Sequence, residues 1–200
     1  MNSATALLRE VRACTMCAAH LPLGPRPVFQ LHPRARILIA AQAPGRRVHE
    51  TGVPFNDPSG ERLRTWLGVG RETFYDPQQI ALLPMGFCFP GTGKSGDLPP
   101  RPECAPAWRA PLLALLKNVQ LTLVIGQYAM GYHLPPPRGS ATQPRRNLTQ
   151  TVASWRELGP ALIPLPHPSP RNNRWLKRNP WFEQELLPVL RERVAGALAG

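Results

Sequence analysis

The chain has 200 residues, and its 42% hydrophobic content is enough to fill the core of one α/β domain. Glycine and proline make up about a fifth of the sequence, which is below the level typical of low-complexity chains, so we expect a globular protein rich in loops. Basic residues outnumber acidic ones by 24 to 12, and 21 of the 24 are arginine, the side chain best suited to bidentate contacts with phosphate. A GC-rich genome also favours arginine, so the charge alone leaves nucleic-acid binding open.

The N-terminal segment and the lengths of the apolar runs bear on location. The first 14 residues have the pattern of an amphipathic helix rather than of a signal peptide. No apolar run is long enough to span a membrane. We therefore expect a soluble cytoplasmic protein with no membrane partner.

The hydrophobic pattern predicts helices and strands that alternate along the chain. Helical patterns cover residues 4–14, 59–69, 103–118, 147–158 and 179–198. Four apolar runs are typical of strands buried on both faces, and they cover residues 35–41, 79–85, 119–126 and 161–167. This alternation predicts one α/β domain over residues 1–200, a three-layer sandwich with a central four-stranded parallel sheet flanked by helices.

The segments that follow the predicted strands are long and rich in glycine, proline and polar residues. They are AQAPGRRVHETGVPFNDPSG (41–60), GFCFPGTGKSGDLPPRPEC (86–104), QYAMGYHLPPP (127–137) and HPSPRNN (167–173). Ligands of such folds bind at the carboxyl ends of the strands, so we expect these segments to form the active face.

The stretch GTGKSG (91–96) has part of the pattern of a triphosphate-binding loop. The glycine that such a loop needs five positions before Gly93 is Cys88, and prolines follow where a helix should begin. We therefore exclude a nucleoside triphosphate site and keep Lys94 and Ser95 only as candidates for contact with a phosphate.

The four cysteines are Cys14, Cys17, Cys88 and Cys104. Disulfides are not expected in a reducing compartment. Zinc ribbons normally use two close C-x-x-C pairs, but here only the first pair is close, and the other two cysteines are 16 positions apart. This spacing weakens the case for zinc and leaves room for an iron–sulfur cluster held by four thiolates, with four unconnected thiols as a further alternative.

Three motifs together with these cysteines resemble the uracil-DNA glycosylase superfamily. The motifs are AQAPG (41–45), GVPF (52–55) with the small turn PSG (58–60), and HPSPRN (167–172). The closest branch is family 4, which carries an iron–sulfur cluster and has its ligand cysteines at corresponding positions. The resemblance extends over residues 10–190 and indicates a divergent subgroup of that branch.

The resemblance implies a DNA base-excision glycosylase that hydrolyses the N-glycosidic bond of a flipped uracil or other deaminated base. His167 would stabilise the negative charge on the departing base, and Gln42 stands at the second catalytic position. The four cysteines would hold a 4Fe-4S cluster, with zinc as the alternative. The remaining implied contacts are Phe55, Ala43, Pro44, Gly45, His49 and Asp57 with the substrate, and Arg46, Arg47, Ser169, Arg171, Asn172 and Arg174 with DNA. We expect the protein to act on DNA as a monomer.

The sequence departs from the family pattern at positions that matter for the chemistry. Gln42 stands where family 4 has a glutamate, and an amide cannot act as a general base. Pro84 falls where the family has the asparagine that reads the edge of uracil, and proline has no side-chain hydrogen-bonding group. The acidic position shortly after the first motif is His49.

Two functions therefore stay open. One is a glycosylase with a shifted substrate, and the other is a non-catalytic protein that binds nucleic acid or damaged DNA on the same fold. Four basic clusters, three of them on segments of the predicted active face, would form a phosphate-binding rim in either case. These clusters are Arg46–Arg47, Arg138, Arg145–Arg146 and the group Arg171, Arg174, Lys177 and Arg178.

Overall fold

A computed structural model describes residues 3–94, 96–135 and 147–200. Its strands are β1 (Ile37–Ala40), β2 (Ile80–Leu82), β3 (Thr92–Gly93), β4 (Gly96–Asp97), β5 (Leu121–Ile125) and β6 (Leu162–Leu165). Its α-helices are α1 (Ser3–Arg12), α2 (Arg46–Thr51), α3 (Pro58–Leu67), α4 (Arg71–Tyr75), α5 (Cys104–Leu113), α6 (Gly126–His133), α7 (Leu148–Ala153), α8 (Asn173–Arg178) and α9 (Leu187–Ala199). In the part of the chain described, no helix is long and apolar enough to cross a membrane.

The central sheet has four parallel strands in the order β2-β1-β5-β6, which confirms the predicted α/β fold. Each of the four predicted apolar runs contains one of these strands. The runs are apolar at consecutive positions because both faces of the sheet are covered. Pro164, which pairs with Val124, is accommodated because β6 lies at the edge of the sheet.

Successive residues of β1 point to opposite sides of the sheet and so define the three layers. Ile37 and Ile39 pack in one core cluster, which also contains apolar residues of α3 and α9. Leu38 lies between them in sequence and packs in a second cluster with Val11 and with Leu112 of α5. The sheet is therefore sandwiched between helices on both faces.

The structure differs from the predicted elements mainly in the segments after the strands. The first residues after β5 were expected to be a loop, but they form α6, since no proline interrupts the chain before Pro135. Short helices α2, α4 and α8 also lie in stretches without a predicted helix. The predicted helix 103–118 ends at Leu113, and 179–198 begins with a π-helical turn over Phe182–Leu186 before α9.

Candidate active site

The parallel strands bring the segments that follow them to one edge of the sheet. Ala40 is in register with Val124, and Ile125 is in register with Leu165. The chain after β1 is fastened to the chain after β2, because the amides of Met85 and Gly86 each donate to a carbonyl of the AQAPG motif over 2.9 Å. The first motif and the histidine motif thus begin at the same edge, as the alternation of elements predicts.

Gln42 lies across the end of β5. Gly126 has a φ of +79°, and a Cβ built there would approach Cδ and Nε2 of Gln42 to 2.9 Å. Glycine at this position therefore leaves the space that the glutamine side chain occupies. The side chain that reaches the site from the first motif is an amide, which can donate or accept a hydrogen bond but cannot take up a proton from water.

His167 is held in a turn by one hydrogen bond to its ring and one to its backbone carbonyl. The amide of Ser169 donates to Nδ1 over 3.2 Å, and Nδ2 of Asn172 donates to the His167 carbonyl over 2.7 Å. Because Nδ1 is an acceptor, the proton of the neutral imidazole lies on Nε2. Burial lowers the pKa of His167 despite the opposing effect of Asp57 and Asp97. The site therefore presents a neutral N–H donor.

Phe55 is held in a strained conformation beside the start of α3. Its φ is +54°, which is uncommon for a residue with a side chain. A Cβ on Gly60 would overlap the Phe55 carbonyl, so the small PSG turn allows the two backbones to approach. The hydroxyl of Tyr75 donates to that carbonyl over 3.3 Å, and the ring of Phe74 packs edge-on at 6.0 Å. These contacts fix a half-buried aromatic ring near the strand edge.

The start of α3 connects the Phe55 segment to the histidine turn. Oδ1 of Asp57 accepts from the amide of Gly60 over 2.8 Å, so Asp57 is the N-cap of α3. From the same helix, Nη1 of Arg62 donates to the carbonyl of Ser169 over 3.1 Å. The motif around Phe55 and the motif around His167 are therefore packed together.

A hairpin that the sequence did not predict adds a carboxylate to the site. Strands β3 and β4 pair antiparallel within the GTGKSGD stretch, so this stretch is not the strand–loop–helix of a triphosphate site. Oδ2 of Asp97 lies 3.3 Å from the position of a Cβ on Gly45, and Arg171 covers Gly96. The hairpin thus approaches both the first motif and the histidine turn. The glycines on either side of Lys94 were the available sequence signal; Ser95 lies outside the described residues.

His49 is buried, with only 7% of its surface exposed. Its ring packs 6.2 Å from that of Phe89, and its Nδ1 has no hydrogen-bond partner. Burial and the Arg26 guanidinium lower the pKa of His49. Its neighbours therefore come from the loops before β1 and after β2.

The cations predicted to contact DNA are at the surface. Arg46 and Arg47 are exposed on α2, and the set that follows β6 is also exposed: Arg171, Arg174, Lys177 and Arg178. The ion pair of Arg46 with Glu50 is long, at 4.0 Å, and such exposed pairs contribute little. Arg138, Arg145 and Arg146 lie outside the described residues.

A buried arginine supports the backbone at Pro84. Arg109 of α5 is 1% exposed, and its Nη1 donates to the carbonyls of Leu83 and Pro84 over 2.9 Å each. Its Nε donates to Nε2 of His133 over 3.0 Å. Burial lowers the pKa of Arg109 to about 10, and burial together with this guanidinium lowers the pKa of His133 to about 4. The apolar pattern of residues 103–118 gave no signal of this buried cation.

All four cysteines line a single cavity. Its other walls include Met16, Leu21, Pro25, Pro27, Phe87 and Trp108, so most of the lining is apolar. The indole N–H of Trp108 donates to Sγ of Cys14 over 3.3 Å. The Cys17 thiol donates to the Glu103 carboxylate over 3.8 Å, and the Arg101 guanidinium donates two hydrogen bonds to the same carboxylate. The cavity joins the end of α1, the loop after β2 and the start of α5.

The chemistry of this cavity fits a thiolate-bound cluster. Burial raises the pKa of Cys88 to about 11 and that of Cys104 to about 12, so the thiolate forms need a cationic partner. Among the residues with described positions, no three His, Cys, Asp or Glu side chains could hold one metal ion. Four cysteine thiols are the ligand set of both a zinc site and a 4Fe-4S cluster, so the cavity contains the donors for either.

The fold and the site define an α/β protein that presents a neutral histidine donor and an aromatic ring at the carboxyl edge of a parallel sheet. Such a site is suited to holding a planar group and stabilising an anion. A family model for the uracil DNA glycosylase superfamily matches residues 29–191. The chain belongs to this superfamily, whose members act on DNA, and its function is of the DNA glycosylase type.

Proposed function

We propose that the protein is a DNA base-excision glycosylase that hydrolyses the N-glycosidic bond of a flipped uracil or another deaminated base, and that it is a divergent relative of family 4. The observation that carries this proposal is the state of His167. Its imidazole is neutral, its Nδ1 is satisfied by the Ser169 amide, and its Nε2–H is left to donate at the strand edge.

The reaction needs stabilisation of opposite charges on its two products. When the C1′–N bond breaks, its electron pair leaves with the base, and the sugar becomes cationic. The Nε2–H of His167 donates to the carbonyl oxygen on which the negative charge of the base develops. Phe55 stacks on the flipped base and replaces the neighbours that the base loses on leaving the helix.

Recognition of the base depends on shape and backbone rather than on a side chain at Pro84. Proline cannot hydrogen-bond to the edge of uracil, so discrimination among deaminated bases is weaker than with an asparagine. We therefore expect activity on more than one of uracil, hypoxanthine and xanthine. The exposed cations beside α2 and α8 bind the flanking phosphates, which makes the affinity fall with salt.

We also propose that Cys14, Cys17, Cys88 and Cys104 hold a 4Fe-4S cluster. When bound, the cluster would cross-link three segments of the chain through its bonds to the four thiolates. Purified protein should then contain iron and absorb near ~400 nm. A metal analysis that finds zinc and no iron would support the zinc alternative. If the protein contains neither iron nor zinc, the four cysteines are free thiols.

The glycosylase is tested by incubating the holoprotein with single- and double-stranded oligonucleotides that each contain one uracil, hypoxanthine or xanthine. Abasic sites are then detected by alkaline cleavage. His167→Ala should lower the single-turnover rate by at least about 10²-fold, as the loss of a donor to a developing anion does.

The chain offers a matched control for this variant. His32 also precedes a proline, and its Nδ1 also accepts from the amide two residues later, Arg34, over 3.2 Å. It lies before β1, at the opposite end of the sheet, so His32→Ala should leave the rate unchanged. If no base is released while salt-dependent DNA binding persists in both variants, the protein is the non-catalytic binding module instead.

A further inference from the structure

The proposed hydrolysis leaves one role without a residue. Water must attack C1′ of the sugar, and a carboxylate that orients this water and accepts its proton would accelerate the step. The first motif supplies only the amide of Gln42. Any carboxylate in this role therefore comes from another part of the chain.

The hairpin after β2 carries a carboxylate to this place. Asp97 ends β4, and its Oδ2 is 3.3 Å from the Cβ position of Gly45, the last residue of the first motif. Arg171 of the histidine turn covers Gly96, the residue before it. Both motifs of the candidate site thus contact the end of the hairpin that carries Asp97.

The second nearby carboxylate is already engaged. Asp57 caps α3 through the short bond from the Gly60 amide, at 2.8 Å. Asp97 has a weaker contact, with the Thr92 hydroxyl 3.4 Å from its Oδ1, and its side chain is exposed. An exposed and weakly bonded carboxylate is free to take up a water molecule.

We propose that Asp97 is the catalytic carboxylate that orients and deprotonates the attacking water, in place of the missing acid at Gln42; this rests on the proposed glycosylase function. The C1′–N bond breaks with its electron pair leaving on the base. The water oxygen forms the new bond to C1′, and the water proton passes to Asp97. The base anion takes a proton from solvent, and Asp97 returns its own proton to solvent, so the step needs no other reactant.

The test compares Asp97→Asn with Asp76→Asn under single-turnover conditions. Asp76 is a partly exposed aspartate before β2, at the other end of the sheet, where it accepts from the amide of Gln78. Asp97→Asn should lower the rate of base release by about 10²-fold or more. Its affinity for an abasic-site oligonucleotide should not decrease, and Asp76→Asn should behave as wild type.

The failures of the two proposals can be told apart. If wild type releases base and Asp97→Asn does so at the same rate, Asp97 is not catalytic and the glycosylase function stands. If the rate falls only in proportion to a loss of DNA affinity, Asp97 positions DNA and the catalytic assignment is overturned. If wild type releases no base from any substrate, the proposed function fails and the role of Asp97 fails with it.

Discussion

The buried pair of Arg109 and His133 makes the protein sensitive to mild acid. His133 is neutral in the folded state because burial and the adjacent guanidinium lower its pKa to about 4. In the unfolded chain a histidine titrates near ~6.5. The unfolded state therefore binds more protons as the pH falls below ~6.5, and the contribution of this group to stability is progressively lost down to about pH 4.

The size of the effect follows from this difference in pKa. Linkage gives a loss of about 2 kcal/mol between pH 7 and pH 5 for an isolated group with these values, and the partial exposure of the ring reduces it to about 1–2 kcal/mol. His133→Gln removes the titration but keeps an acceptor for Arg109 through Oε1. The variant should therefore lose about 1–2 kcal/mol less stability than wild type over the same pH interval.

Urea denaturation at pH 7 and pH 5 gives the change in the free energy of unfolding for wild type and for His133→Gln, and the two changes are then compared. All other titrating groups are common to both proteins, so their contributions cancel. His20→Gln, at an exposed histidine, is the matched control and should follow wild type at both pH values. Equal losses of stability for wild type and His133→Gln would refute the assignment of a neutral His133 bonded to Arg109.

The remaining predictions concern the start of α3. Gly60→Ala should cost about 1–3 kcal/mol because its methyl group overlaps the Phe55 carbonyl, whereas Gly131→Ala, with open space around it, should leave the melting temperature unchanged or raise it. Thermal unfolding distinguishes the two, and equal melting temperatures would contradict the close approach. Asp57→Ala should cost about 1 kcal/mol through loss of the N-cap, while Asp57→Asn keeps a capping oxygen and should cost at most a few tenths by the same measurement. Equal costs would mean that the cap contributes nothing.

The sheet was predictable because its signal is local. Each central strand is a short apolar run bounded by prolines, glycines or charges, and four such runs separated by helical patterns leave few alternatives to a parallel sheet. Short helices such as α2 and α8 were missed because two turns carry too little periodicity to stand out from a polar loop. The hairpin was missed for a similar reason, since each of its strands has two residues.

The site was predictable only where its residues belong to contiguous motifs. Phe55, Asp57 and His167 lie in such motifs, and the structure gives each one a specific support. Arg109 lies within an apolar helix and Asp97 follows a glycine-rich turn. The neighbouring sequence does not indicate that either residue lies near the carboxyl ends of the strands. Their roles depend on contacts between segments distant in sequence, with Pro84 for Arg109 and with Gly45 for Asp97.

The proposals for the cluster and for Asp97 both concern the segment between Cys88 and Cys104. These two cysteines bracket the hairpin that carries Asp97, and both line the cavity shared with Cys14 and Cys17. A cluster bound there would close this segment into a loop anchored at both ends, which restricts the conformations open to the hairpin. A bound cluster would then hold Asp97 against Gly45, and its contribution to the proposed catalysis would be one of position.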